Sequence, residues 1–161
     1  WDVHHGNGTQ HLFESDPSVY YFSLHQWPLY PGTGRAEERG VGEAHGTNLN
    51  CLMEPGDGDD AYFRALEEQV IPKLQRFSPQ CIIISAGFDA HDADPLSATR
   101  VTASGFRRMT RLRLQGAPPA AAGRCLALLE GGYDLKALAD SLEGHLGEMV
   151  EAAGPAAGAG S

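Results

Sequence analysis

The chain has 161 residues, 42% hydrophobic and 20% charged, enough for one domain with a real core. Its 21 acidic against 12 basic residues give a net charge of −9. That balance excludes a general nucleic-acid binder and leaves no basic patch for an anionic membrane, whereas it suits cationic substrates such as lysine-rich peptides or polyamines. Cys51, Cys81 and Cys125 are far apart and show no CxxC spacing. Neither a disulfide framework nor a thiolate zinc site is indicated, and a reducing compartment, the cytoplasm or in a eukaryote also the nucleus, is expected. No apolar run is long enough to span a bilayer. The chain opens without Met on Trp1-Asp2-Val3, so a fragment or a processed chain is expected.

Trp1-Asp2-Val3 reads as the end of a strand, and Gly6-Asn7-Gly8 as a turn. Thr9 to Phe13 fits one helical turn, and the aromatic, β-branched stretch Ser18 to His25 predicts a strand. A long loop holding Pro31-Gly32-Thr33-Gly34 follows, then a short strand over Asn48 to Met53. Asp59 or Asp60 caps a helix from Ala61 to about Phe77, with Phe63, Leu66, Val70, Leu74 and Phe77 on one face and a kink at Pro72. Gln80 to Ser85 is apolar and β-branched, the pattern of a buried parallel strand. Asp89 then lies just past its carboxyl end, where open α/β sheets bind ligands. Thr102 caps a helix to about Leu114 with Phe106 and Met109 inward. Arg124 to Glu130 predicts another buried strand, ending in Gly131-Gly132-Tyr133. Asp134 caps a last helix carrying Leu135, Leu138, Leu142, Leu146 and Met149, and residues 151–161 form an Ala/Gly tail expected to be disordered. Strands alternating with helices predict an α/β fold with a parallel sheet.

Asp2 and His4 are two apart on a strand end and so share a side, and Asp89 comes from a second strand end. Two carboxylates and an imidazole suit a divalent zinc or iron with a position left open for water. On spacing alone, Asp2 and His4 also fit a solvated strand end. His5 points the other way, as a packing or supporting residue, while His11, His45 and His145 show no partner pattern and are expected at the surface. Asp92 and Asp94 organise the turn before Pro95. The glycines before Tyr133 leave its ring exposed, free to donate a hydrogen bond to a developing oxyanion.

Taken together, Asp2-Val3-His4-His5-Gly6-Asn7-Gly8-Thr9-Gln10, Ser23-Leu24-His25, Pro31-Gly32-Thr33-Gly34, Ser85-Ala86-Gly87-Phe88-Asp89-Ala90-His91, Asp94-Pro95-Leu96 and Leu129-Glu130-Gly131-Gly132-Tyr133 resemble the zinc-dependent histone deacetylase family. The match is nearest to its class II branch and bacterial relatives, including acetylpolyamine amidohydrolases. The resemblance implies an arginase-like, three-layer α/β/α fold with a parallel central sheet whose N-terminal part is missing. Residues 1–150 would then be the C-terminal portion of a catalytic domain. It implies zinc, or alternatively ferrous iron, on Asp2, His4 and Asp89, and a metal-activated water that attacks an acyl amide. Tyr133 matches the tyrosine that polarises the acyl carbonyl. Tyr30 and Gly132 would line the substrate channel, Tyr30 where the family usually has Phe. Structural potassium is implied at Asp2, His4, Ser23 and Leu24, partly through backbone carbonyls, and at carbonyls near Phe13, Asp16 and Val19.

The implied substrates are acetyl-lysine in a peptide or protein, or an acetylpolyamine, with no direct nucleic-acid or membrane partner. One departure stands out. The family's adjacent histidine pair for proton transfer is absent, since His4 of His4-His5 is already a ligand, so these residues alone are expected to be inactive or nearly so. A second reading is a non-catalytic metal-binding remnant serving as a structural or binding module. A third is an arginase-type two-metal hydrolase using Asp92 and Asp94, against which the Gly131-Gly132-Tyr133 turn speaks.

Overall fold

Two pairs of short parallel strands carry the chain. In this computed structural model, which describes residues 1–121 and 123–154, β1 (Tyr21–Gln26) pairs with β2 (Asn48–Met53), Tyr21 opposite Asn48. Strand β3 (Ile82–Ala86) pairs with β4 (Cys125–Leu129), Ile82 opposite Cys125. Trp1–Val3, expected as a strand end, is too short to form a ladder and instead ties the two pairs together. The Trp1 nitrogen donates to the Ser85 carbonyl at 3.2 Å, and the Val3 carbonyl accepts from Gln26 N–H at 2.9 Å. All the strands therefore direct their carboxyl ends toward one region. Val3, Leu24, Met53, Tyr62, Ile84, Phe88, Phe106 and Met109 form the buried cluster beneath it.

The helices follow their caps. Helix α1 spans Asn7–Phe13, α2 Asp59–Ala65, α3 Ile71–Phe77, α4 Ala103–Gly116 and α5 Leu135–Ala153. Thr102 accepts from Gly105 N–H and Asp134 from Ala137 N–H, as the sequence predicts. The single kinked helix expected over 61–77 is instead α2 and α3 joined by a π-helical turn, Leu66–Val70. Pro72 has no N–H to offer the carbonyl one turn back, and the wider turn just before it absorbs the mismatch. The apolar face survives, with Phe63, Leu66, Val70 and Leu74 all buried.

Helix α5 corrects the sequence reading twice. It continues through Ala153, so residues 151–153 are helical, while residues 155–161 of the expected tail lie outside the described residues. Its most deeply buried positions are small or polar, while Leu138 and Leu142 pack half-buried against the core. Ala137, Ser141, His145 and Glu148 are buried, Leu135 and Leu146 are exposed, and Leu138 and Leu142 are half-buried. The cause is close packing on α4, where a methyl at Gly144 would come within 3.0 Å of Arg107 Cβ. Small and polar residues fit such an approach, and leucines do not. His145, expected at the surface, is 1% exposed, and its Nδ1 lies 2.8 Å from Thr110 Oγ1. Thr110 spends its own proton on the Phe106 carbonyl, so His145 Nδ1 is the donor.

Beyond β3–β4, Ile83, Leu126 and Leu128 are exposed, so among the described residues that sheet face carries no helical layer. Among the same residues no helix is long and apolar enough to cross a membrane.

Burial, then the charge of Arg113, pushes His145 down to about 4. A histidine whose folded value is depressed adds stability above its unfolded value and loses it as pH falls from about 6.5 toward 4. Between pH 7 and pH 5 the wild type is therefore expected to lose about 2 kcal/mol more stability than His145→Gln. Urea unfolding of both proteins at the two pH values measures the difference.

Candidate metal centre

Three donors meet where the strands end. Asp2 and His4 leave the segment tied to the end of β1, and Asp89 follows β3 by three residues. His4 Nδ1 lies 3.0 Å from Asp2 Oδ1 and 3.1 Å from Asp89 Oδ2. One ligand atom from each residue falls within 4.8 Å of the others, the spread a single cation can bridge. Asp89 is completely buried, and its other oxygen accepts Val3 N–H at 2.7 Å. Asp2 Oδ1 accepts His4 N–H at 2.8 Å, and Asp2 Oδ2 accepts Gly131 N–H at 3.0 Å.

The electrostatics match a cation. Burial, then the neighbouring charge of Asp2, pushes Asp89 up to about 6. Among the described residues neither carboxylate forms an ion pair with lysine or arginine; their partner is His4. Two clustered carboxylates with one imidazole and no fixed counter-charge make a donor set that fits zinc or ferrous iron. The surrounding backbone is shaped to it. A Cβ at Gly87 would overlap Asp2 Oδ2, and one at Gly131 would overlap Asp89 Oδ2.

A buried polar network backs the set. Gln10 Oε1 accepts from Asn50 at 2.9 Å, from Asn48 at 3.2 Å and from His5 Nε2 at 2.8 Å, while Gln10 Nε2 donates to Glu38. His5 therefore carries its proton on Nε2 and accepts from Thr33 Oγ1 at 2.8 Å. Glu38 in turn accepts from the N–H groups of Gly34 and Arg35. The loop after Tyr30 is thereby moored to the sheet. His25 is fully buried, and burial followed by the nearby His5 pushes it down to about 4, so it stays neutral.

The other expected site residues are distributed as follows. Tyr30 is 79% exposed, with its ring edge-on to His4 at 6.3 Å. Tyr133 is exposed, and desolvation followed by Asp89, Asp2 and Asp94 pushes its phenol upward. Gly132 precedes it at φ +138°. Ser23 and Leu24 lie on β1, and Ser23 Oγ is 2.9 Å from His25 Nδ1. Phe13, Asp16 and Val19 line successive turns before β1, with Asp16 N–H bonded to Phe13 O and Val19 N–H to Asp16 O. Asp92 and Asp94 do not join the metal set. Both oxygens of Asp94 are taken by backbone N–H groups, of Leu96 at 2.9 Å and Tyr133 at 2.7 Å. Sequence reasoning missed Glu38, gave Gln10 no role beyond its place in a resembling stretch, and gave Asp94 a local turn or a place in the two-metal alternative. A glutamine on the inward side of a short helix was the one available signal for Gln10.

Residues 1–149 match the family model described as "Histone deacetylase domain". A "Probable deacetylase" of Archaeoglobus fulgidus is 44% identical over 84% of this chain and 38% of its own length. A "Histone deacetylase-like amidohydrolase" of Pseudomonas aeruginosa is 43% identical over 83% of this chain and 35% of its own. Among solved structures, the HDA15 HD domain superposes with a TM-score of 0.86 at 42% identity, covering 92% of this chain and 42% of that one. The chain thus spans less than half the length of each of these relatives.

Replacing Asp89 with Asn separates metal binding from stability. A carboxylate raised in the folded state stabilises below its unfolded value and loses that stability as pH rises through about 6. At pH 7 Asp89→Asn is therefore expected to make the metal-free chain more stable by about 1–3 kcal/mol. It should also weaken zinc binding by more than the roughly 10- to 100-fold that losing an outer partner of a ligand costs. Calorimetric zinc titration and thermal unfolding of the apo form check the two halves.

Proposed function

The chain belongs to the histone deacetylase domain family, and from that premise we propose that it is the metal-binding, C-terminal portion of a hydrolase that removes acyl groups from amines. The observation that carries this reading is the convergence of Asp2, His4 and Asp89 at the strand ends, next to the turn bearing Tyr133. The substrates are acetyl-lysine in a peptide or protein, or an acetylpolyamine; the free amines of a polyamine, or further lysines in a peptide, suit a chain of net charge −9. Zinc, or ferrous iron, held by Asp2, His4 and Asp89 would polarise the acyl carbonyl and supply a water nucleophile near neutral pH.

The chain's own groups do the rest of what it contributes. Tyr133 donates its phenolic proton in a hydrogen bond to the acyl oxygen as negative charge develops there. The raised phenol stays protonated, and hence a donor, at neutral pH. The Tyr30 ring and the Gly132 backbone wall the acyl channel, and the Gln10 network holds the loop that carries Tyr30's neighbours. Potassium, bound by Asp2, His4 and the carbonyls of Ser23 and Leu24, and by carbonyls near Phe13, Asp16 and Val19, would stiffen the segments that deliver the metal ligands.

Proton transfer is assigned to a histidine pair outside these residues. The chain's adjacent pair, His4-His5, is engaged: His4 with both carboxylates, His5 with Gln10 and Thr33. Residues 1–161 alone are therefore expected to give little or no turnover. The full-length protein is expected to hydrolyse a fluorogenic acetyl-lysine substrate in a chelator-sensitive reaction. Tyr133→Phe should lower its kcat by about 100- to 1,000-fold while zinc binding stays intact. Robust chelator-sensitive turnover by residues 1–161 would sink the assignment of proton transfer. Zinc binding without turnover by the full-length protein would instead establish a non-catalytic metal-binding module.

A further inference from the structure

We propose that Asp94 is a positioning residue for Tyr133, fixing through its backbone where the phenol stands relative to the metal set. The inference rests on the deacylase reading above and adds to it a residue outside the ligands and the channel.

Asp94 is only 6% exposed, unusual for an acidic residue in a loop. Its Oδ2 accepts Tyr133 N–H at 2.7 Å, across 39 residues of sequence, and its Oδ1 accepts Leu96 N–H at 2.9 Å. Such charge-assisted bonds are about twice as strong as neutral ones. The loop that carries Asp94 is itself fixed. Asp94 N–H donates to the His91 carbonyl at 2.9 Å, Asp92 N–H to the Val101 carbonyl at 3.0 Å, and Val101 N–H to the Ala90 carbonyl at 3.0 Å. Val101 is wholly buried. A rigid loop thus presents one carboxylate to the turn.

The turn needs that hold. Gly131 is pinned on both sides, by its N–H to Asp2 and by Phe88 N–H to its carbonyl at 2.7 Å. Gly132 follows at φ +138°, a conformation open to glycine that removes the stiffness a side chain would give. Past this joint, Tyr133 is 53% exposed, so packing of its ring does not set its place. What holds residue 133 on the near side of α5 is its N–H bond to Asp94. A donor aimed at a developing charge loses about 100-fold in rate when misplaced by about 1 Å. Asp94 is therefore placed to govern kcat without touching substrate or metal.

The test uses the full-length protein with Asp94→Asn, Tyr133→Phe and the double variant. Asparagine keeps the size but has one oxygen, so it leaves one of the two N–H groups without an acceptor. Asp94→Asn is expected to lower kcat about 10- to 100-fold with KM within about twofold and zinc affinity unchanged. In the Tyr133→Phe background it should cost nothing further. Hydrogen exchange should speed up at the Tyr133 amide and not at Phe106 in α4. A second substitution guards against misfolding: Tyr133 replaced by its α-hydroxy-acid analogue removes the N–H alone and should reproduce the kcat loss. Multiplicative losses in the double variant, a fall in zinc affinity, or unchanged exchange at the Tyr133 amide would overturn the proposal. If the unmodified protein shows no turnover, the deacylase reading fails on its own, and exchange at Tyr133 still decides whether Asp94 holds it.

Discussion

The carboxylates of Asp2 and Asp89 stand on either side of His4 Nδ1, at 3.0 and 3.1 Å, and their charge is not met by lysine or arginine among the described residues. In a folded chain that proximity is unfavourable by itself, because one carboxylate raises the cost of ionising the other. Every element near the site helps to keep it. Val3 and Gly131 lend backbone N–H groups, β3 delivers Asp89 into full burial, and the segment before β1 is tied to both strand pairs. The donor set is complementary to a cation, whose binding would offset that repulsion.

The supporting structure divides into two moorings. In one, Gln10 accepts three bonds and passes one to Glu38, linking α1, β2, His5 and the loop that follows Tyr30. In the other, Asp94 links the loop after β3 to the turn after β4. Both use a buried polar side chain to fasten irregular backbone, which strand pairing cannot do. The turn before Tyr133 and the loop after Tyr30 are thereby positioned by groups outside the cluster of Asp2, His4 and Asp89.

Much of this was legible from residues alone. The strand at 82–86 showed as an apolar run, that at 48–53 only as a short stretch between loops, and Thr102 and Asp134 announced their helices by type and place. Alternation put Asp2 and His4 on one side and a strand end placed Asp89, but spacing alone left a solvated strand end open; the resemblance singled the three out, and the structure brings their side chains within reach of one another. Local pattern failed where a distant partner decides the outcome. His145 looked like a surface residue, but close approach of α5 to α4 buries it together with Ala137 and Ser141. Gln10, Glu38 and Asp94 have no periodicity to betray them, since their partners lie 28 to 40 residues away. The π turn before Pro72 is a milder case, in which the proline was visible and the form of the relief was not.

Gly87 and Gly131 have a consequence for how such a chain can change over generations. Neither has room for a Cβ, and in each case the atom it would strike is a ligand oxygen of Asp2 or Asp89 rather than a core side chain. A side chain at either glycine would therefore displace those carboxylates. A single added methyl group at either position would thus strike the carboxylate cluster directly.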